Sequence, residues 1–292
     1  MHHDFKYAVV AFLLVTGSVS GRLAAEDAFV ELAGWIKASG GSAEDLVAWP
    51  ELLVEEGKAF EAKEAVYLKL SAWPASNRVT FPRLNNPTKK VFLLGKPDEE
   101  LKLTPEPSEW RVDLPKVKPD AAHAVVVVQT IGEPHLPLEP ESVSADDKGV
   151  FVLSAHKSLT HGEMLRYEPQ PHKNTVGYWT KPADWAQWQL DVARGGKYKL
   201  HVLQGCGTGQ GGSVVGIHIR QSSDALSKPA IRFEVEDTGH FQNFVTRELG
   251  EIELKTPGQY TLELRPERLA NKAVMDVREV RLVPVSGTEG ER

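Results

Sequence analysis

From residue 66 to residue 283 the apolar residues fall in short runs with period-two alternation. Pro, Gly, Asn and Asp clusters separate the runs, and none reaches the length of a helix. That punctuation confines the chain to antiparallel β-structure, because hairpins and sandwiches are what short alternating strands with tight turns can build. In the N-terminal stretch the runs are Val66-Tyr67-Leu68-Lys69-Leu70, Lys90-Val91-Phe92-Leu93-Leu94, Trp110-Arg111-Val112-Asp113-Leu114 and Ala124-Val125-Val126-Val127-Val128, which fit a small antiparallel sandwich of about six strands. After Pro134, Pro137 and Pro140, set among Glu133, Glu139 and Glu141, strand-like segments return. They cover 149–154, 186–193, 198–204, 214–221, 230–235, 250–254, 260–264 and 277–283. Eight strands without a convincing helix imply a β jelly roll. In Tyr198-Lys199-Leu200-His201-Val202, the first, third and fifth residues face a core and the other two face solvent.

Only the N-terminal region has helical texture. Phe29, Val30, Leu32, Ala33, Trp35 and Ile36 recur at helical spacing between Glu26 and Ser39, and Gly40-Gly41 stops the run. A second short helix is expected to follow at Ser42-Ala43-Glu44-Asp45. Ahead of both, Lys6 and the apolar run 8–15 have the form of a secretory signal peptide, with cleavage expected after Ala25 in preference to Ser20. That run is too short to span a bilayer. The expected organisation is a signal peptide over 1–25, a short helical segment over 26–62, a β-sandwich over 63–135, a Pro-rich linker over 136–148, a jelly roll over 149–285 and a tail over 286–292. The mature protein is expected in the periplasm, in the cell envelope or outside the cell.

Composition excludes several partner classes. The formal charge of −6 comes from 40 acidic and 34 basic residues scattered along 292 positions, so no basic arm for nucleic acid is present. The one cysteine, Cys206, can make no internal disulfide and reads as a small buried hydrophobe. No zinc spacing links His156, His161 and His172, and no nucleophile elbow occurs. Gly207-Thr208-Gly209-Gln210-Gly211-Gly212 satisfies G-x-G-x-x-G, but the next segment is a strand and offers no helix N-terminus to a pyrophosphate, so the stretch reads as a mobile glycine hairpin.

The span from about Val66 to His135 resembles the C-terminal β-sandwich of the α-L-fucosidases of glycoside hydrolase family 29, through Val66-Tyr67-Leu68-Lys69, Trp73-Pro74, Val91-Phe92-Leu93-Leu94-Gly95 and Leu114-Pro115. The helix carrying Gly34-Trp35-Ile36-Lys37 is similar to that family's last barrel helix. The family's nucleophilic aspartate belongs to a barrel that has no counterpart in this sequence, so the resemblance implies no fucosidase activity. From about Gly149 to Pro284 the chain resembles the jelly-roll modules appended to secreted sulfatases and glycosidases, themselves similar to carbohydrate-binding families 6 and 35. Seven stretches carry this likeness in order: 176–179, 184–188, 196–198, 203–207, 236–244, 257–262 and 274–276.

Sugars present flat C–H faces ringed by hydroxyls, so a binding cleft needs an aromatic platform and planar polar groups. The resemblance places the two aromatic positions of such a cleft at Tyr178 and Phe241, with a phenylalanine where those families usually carry tryptophan. Trp179 and Trp185 are further rim candidates, with Trp188 expected inside. Gln204, Asp237, His240, Gln242 and Asn243 offer hydrogen bonds to hydroxyls, and each reads equally as a loop or turn-capping residue. Glu234 and Glu236 share a strand face as an acid/base pair would, or as any solvent-facing edge would. The resemblance also implies a structural calcium, for which Asp276 with Glu163 or Glu168 would supply oxygens; no other cofactor is implied.

The expected function is that of a secreted, non-catalytic carbohydrate-binding protein recognising polysaccharide through loops of the C-terminal jelly roll, beside secreted glycosidases or sulfatases. The alternatives are a remnant or fragment of an α-L-fucosidase and an envelope protein-interaction module.

Overall fold

The computed structural model describes residues 19–55, 57–120, 124–137, 141–226 and 228–285. Most of the leader-like segment, the middle of the Pro-rich stretch and the tail lie outside them. Helix α1, Val19–Ala38, begins earlier than the apolar spacing implies. It ends where expected: Gly40 takes φ 82°, and the Gly41 N–H reaches back to the Ile36 carbonyl at 2.9 Å. The second helix does not form. The chain makes one turn, with Leu46 N–H on the Ala43 carbonyl at 3.3 Å, because burial of Leu46 draws the next residues into strand pairing.

Eight strands follow: β1 Val47–Ala48, β2 Gly57–Ala62, β3 Ala65–Leu70, β4 Arg78–Pro82, β5 Thr88–Leu93, β6 Leu103–Pro105, β7 Glu109–Asp113 and β8 Val125–Thr130. They form a five-stranded sheet, β1-β2-β3-β8-β5, facing a three-stranded one, β4-β7-β6, with every pairing antiparallel. Strand β8 explains its own unbroken valine run, because it is buried on both faces. Val126 and Val128 point into the sandwich, while Val125 and Val127 lie with Phe60 and Phe92 in the cluster formed by Leu32 and Ile36 of α1.

Twelve strands build the second unit: β9 Ser142–Ser144, β10 Phe151–Ser154, β11 Leu159–His161, β12 Arg166–Glu168, β13 Thr175–Gly177, β14 Trp185–Val192, β15 Gly196–Cys206, β16 Val214–Gln221, β17 Ile231–Glu234, β18 His240–Leu254, β19 Gly258–Arg268 and β20 Asp276–Pro284. One sheet runs β12-β13-β20-β15-β18 with β10 beside β20, and the other runs β11-β14-β19-β16-β17 with β9 beside β14. Two six-stranded sheets enclosing Trp188, Leu190, Leu200, Val202, Leu262 and Leu282 make the expected jelly roll. Strand β9 falls inside the stretch expected to be linker. It pairs in parallel with β14, and Val143 is buried, so burial of one valine converts linker into sheet. Gly57–Ala62, expected within a helical segment, is likewise strand, because Ala59 and Phe60 are buried on either side of it.

The two units share one apolar core. Arg83, 3% exposed, lies at the seam and donates to the Ser158 carbonyl at 2.9 Å and to Thr160 Oγ1 at 3.2 Å, with its guanidinium 5.2 Å from the Tyr167 ring centroid. Burial pushes its pKa down to about 10, so it stays charged at neutral pH. Thr88 contributes two more crossings, with N–H and Oγ1 both on the Pro169 carbonyl, at 3.0 and 3.2 Å. Gln170 Nε2 reaches the Leu103 carbonyl at 3.1 Å. Arg83→Met keeps much of the volume and removes the donors, leaving a buried carbonyl unpaired. Equilibrium urea unfolding should show a loss of about 2–3 kcal/mol.

Beside the seam, Lys157 and His135 hold Glu141 at 2.6 and 3.4 Å, and the Nδ1 of His156 is buried without a hydrogen-bond partner. Burial lowers the His156 pKa from 6.5 to about 4. The unfolded chain therefore binds this proton before the folded one does, and stability falls as pH drops from 6.5 towards 4. The hydrogen bond to His135, reinforced by Lys157, lowers Glu141 from 4.5 to about 2, so its contribution is present above 4.5 and lost between 4.5 and 2. Thermal unfolding across pH should show a Tm contribution from these two groups that is lost as pH falls through both windows; His156→Gln should flatten the upper one.

Candidate functional site

Four strand ends of the jelly roll meet at one rim. Val176 of β13 pairs with Val277 of β20, Gly205 of β15 pairs with Asp276, and Cys206 pairs with His240 at the start of β18. Tyr178 and Phe241 consequently share this rim but stand three strand spacings apart, about 14 Å along the sheet.

Tyr178 follows β13 in the left-handed region, with φ 58°, a conformation costing a bulky residue roughly 1–2 kcal/mol. It is nevertheless 46% exposed. Its surroundings hold it there. Thr180 N–H closes a tight turn on the Tyr178 carbonyl at 3.0 Å. Trp179 is anchored in the core, with its indole N–H on the Asp184 carbonyl at 3.0 Å and its own carbonyl accepting from Val274 N–H at 2.8 Å. Asp184, itself buried, accepts the backbone N–H groups of Glu163, Met164 and Leu165, each at 2.9 Å, and so ties the turn before β12 to the same corner. One face of the Tyr178 ring rests on the Arg166 guanidinium at 3.8 Å. Arg166 is bound at 3.2 Å by Glu106 of the N-terminal sandwich, and Glu106 is also held by Arg111 at 3.5 Å. Arg166 and Glu106 carry no local sequence signal, because their relation to Tyr178 arises from strand pairing and from the seam.

At the other end of the rim Phe241 lies across β15. A Cβ on Gly205 would collide with the Phe241 carbonyl oxygen, and one on Gly207 would stand 2.6 Å from the Phe241 ring. Both glycines are therefore required by close approach. Cys206 between them is fully buried, and burial pushes its thiol up to about 11, so it is an inert core residue.

Packing and hydrogen bonding within the fold already engage five of the candidates. Trp179, 1% exposed, is a core residue. Trp185 points outward as alternation requires, but His161 stacks on it at 3.7 Å and 9°, and Arg265 lies 3.7 Å from its ring, so its faces are occupied from the strands on either side. Gln204 is fully buried and spends its amide on the Glu236 carbonyl at 2.9 Å and on Arg247 at 3.5 Å. Asp237 binds the N–H groups of Gly209 and Gly239, making it a loop clamp. Asn243 closes the same loop by donating to the Thr238 carbonyl at 2.5 Å. His240 is exposed and Gln242 half-buried at the start of β18, with His240 Nδ1 accepting the Gln242 N–H at 3.1 Å.

The stretch expected to be a mobile glycine hairpin is tied to the 268–272 loop by hydrogen bonds. Asn271 Nδ2 donates to the Gly211 carbonyl at 2.8 Å, Arg268 Nη2 to the Gly212 carbonyl at 2.7 Å, and Lys272 N–H to Gln210 Oε1 at 3.0 Å. Beside it lies a groove of ≈ 530 Å³ lined by Gly211, Glu234, Glu236, Asp237 and Arg247 among others. Glu236 is paired with Arg247 at 2.5 Å and Glu234 with Arg268 at 3.7 Å, so both carboxylates of the conceivable acid/base pair are engaged by cations.

No protein-family profile matches the chain, and no curated protein matches it in sequence. Solved structures do. The chain is similar to the C-terminal family 6 carbohydrate-binding module of the laminarinase LamC from Zobellia galactanivorans, at 15% identity over 46% of this chain and 98% of that one, with a TM-score of 0.37. It is similar to a family 35 carbohydrate-binding module from Clostridium thermocellum, at 14% identity over 47% of this chain and 98% of that one, TM-score 0.36. It is also similar to the α-L-fucosidase of Vibrio sp. strain EJY3, at 15% identity, TM-score 0.32; 87% of this chain matches and spans 44% of the enzyme. No described helix is long and apolar enough to cross a membrane.

Proposed function

We propose that this protein binds carbohydrate without cleaving it, and that Tyr178 is the platform on which a sugar ring stacks. One observation carries the reading: a tyrosine held in a strained left-handed conformation and left 46% exposed, with a guanidinium 3.8 Å from its ring. Folding alone gives no reason to keep a large aromatic ring so placed, and strain of this kind concentrates at binding sites. The platform is rigid before any ligand arrives, which lowers the entropy lost on binding. Phe241, Gln242 and His240 extend the surface along the rim, at a distance that suits a chain of sugars better than one ring held between two aromatics. The reading is non-catalytic because the two carboxylates nearest an acid/base arrangement are ion-paired with Arg247 and Arg268. The leader-like N-terminus supports extending the proposal to a secreted polysaccharide-binding protein acting beside secreted glycosidases or sulfatases.

Affinity electrophoresis against fucosylated, galactosylated and sulfated polysaccharides tests this directly. The wild type should be retarded on at least one polymer. Tyr178→Ala should weaken retention about tenfold, corresponding to about 1.4 kcal/mol. Free migration on every polymer would overturn the proposal. Glu106→Gln, on the other sandwich, should weaken retention by a smaller factor because it loosens the arginine beneath the ring; retention unchanged from wild type would show that the N-terminal unit has no part in the site.

A further inference from the structure

Two buried carboxylates meet inside the jelly roll, beneath the rim. Glu168 is 6% exposed and Asp276 4% exposed. They converge on the bare Cα of Gly177, where an added Cβ would stand 2.7 Å from Asp276 Oδ1 and 2.8 Å from Glu168 Oε2. Two such groups in a low-dielectric interior need a cation, a proton or both. Burial and the neighbouring Glu168 push the Asp276 carboxyl well above the ordinary carboxylate range, and Lys173 opposes that shift.

This is where the sequence resemblance would put calcium, and the residues present do not fit it. Calcium takes six to eight oxygens. Among the described residues no three side chains of metal-ligating type converge. Glu163, the other residue considered for the site, instead pairs with Lys181 at 3.5 Å on the surface. The cation at the pair is Lys173, whose Nζ lies 2.7 Å from Glu168 Oε1.

The loop holding Lys173 is fixed at several points. Lys173 and Asn174 N–H groups both return to the Gln170 carbonyl, at 2.9 and 2.8 Å. Asn174 takes φ 43°, and its Oδ1 accepts from the buried Tyr167 hydroxyl at 2.8 Å. Arg278 lies two residues beyond Asp276, yet its guanidinium is turned to the His172 and Lys173 carbonyls at 2.7–3.0 Å and stacks on Phe244 at 3.9 Å. Arg278 thus holds the lysine loop in place and leaves the carboxylates to Lys173.

We infer that Lys173 is a tethered cation doing the charge-neutralising work of a bound metal ion, so that this jelly roll is stable without calcium. The inference is independent of whether the rim binds sugar. Its test is thermal unfolding of the full chain in EDTA and in millimolar calcium chloride, with calcium titration by calorimetry alongside. Wild type should unfold at one temperature in both buffers and give no calcium-binding heat. Lys173→Gln should unfold about 5 °C lower in EDTA and regain part of that in calcium, since removing the ammonium leaves the two carboxylates for an added ion. Lys173→Arg keeps the charge and should behave as wild type, which supplies a readout should the glutamine variant fail to fold. Stoichiometric calcium binding by the wild type, with a raised Tm, would overturn the inference; so would a glutamine variant as stable in EDTA as the wild type.

Discussion

The guanidinium of Arg83 is buried with no carboxylate paired to it among the described residues, and its charge is met by the Ser158 carbonyl, the Thr160 hydroxyl, the Asn85 amide oxygen and the face of Tyr167. Such a group is tolerated only where the surrounding structure is fixed on all sides, because any loosening would leave it desolvated and unpaired. Its position therefore requires the two sandwiches to pack in one arrangement. The shared apolar core, with Trp110 of the first sandwich 6.5 Å from Tyr167 of the second, imposes the same requirement from the side of packing. Relative orientation is then a property of the fold, and a residue on one sandwich can take part in a site on the other. Glu106, Arg166 and Tyr178 form such a line.

At the rim, most of the polar residues that look available for a ligand are consumed in building the loops. Asp237 gathers two glycine N–H groups, Asn243 closes the turn before it, and Gln204 satisfies a carbonyl beneath it. The glycine hairpin is secured from the 268–272 loop. What these bonds achieve is a hydrogen-bonded margin, and at its other end the ring of Tyr178 is exposed.

The architecture was legible in the sequence wherever a strand has one dry face and one wet face. Residues 198–202 alternate in burial as their chemistry requires, and Val214–Gln221 has the boundaries read from its composition. Strands of three residues, such as Leu159–His161 and Arg166–Glu168, were not legible, because three residues hold no period and their pairing is decided by partners distant in the chain. Gly57–Ala62 was hidden by lysine, glutamate and alanine, which favour helix; packing of Phe60 under α1 overrides that preference. At the site, the residue types carried the location of the rim but not which groups face outward. The outward turn of Trp185 follows from alternation, whereas its capping by His161 and Arg265 depends on the neighbouring strands. The left-handed backbone at Tyr178 has no sequence signature, since the position is filled by a residue that ordinarily avoids it.

Strand β20 is late in the chain and central in its sheet, where it pairs with β10, β13 and β15. The strands it joins begin at Phe151, well over a hundred residues earlier in synthesis. Until residues 276–284 have left the ribosome, β13 and β15 have no strand between them, and the inner faces of both sheets stay open to water or to a chaperone. Such long-range closure is slow, because the entropy of bringing distant segments together is lost before their contacts form. A chain halted before Asp276 would therefore carry eleven of the twelve described strands of this unit and no finished jelly roll.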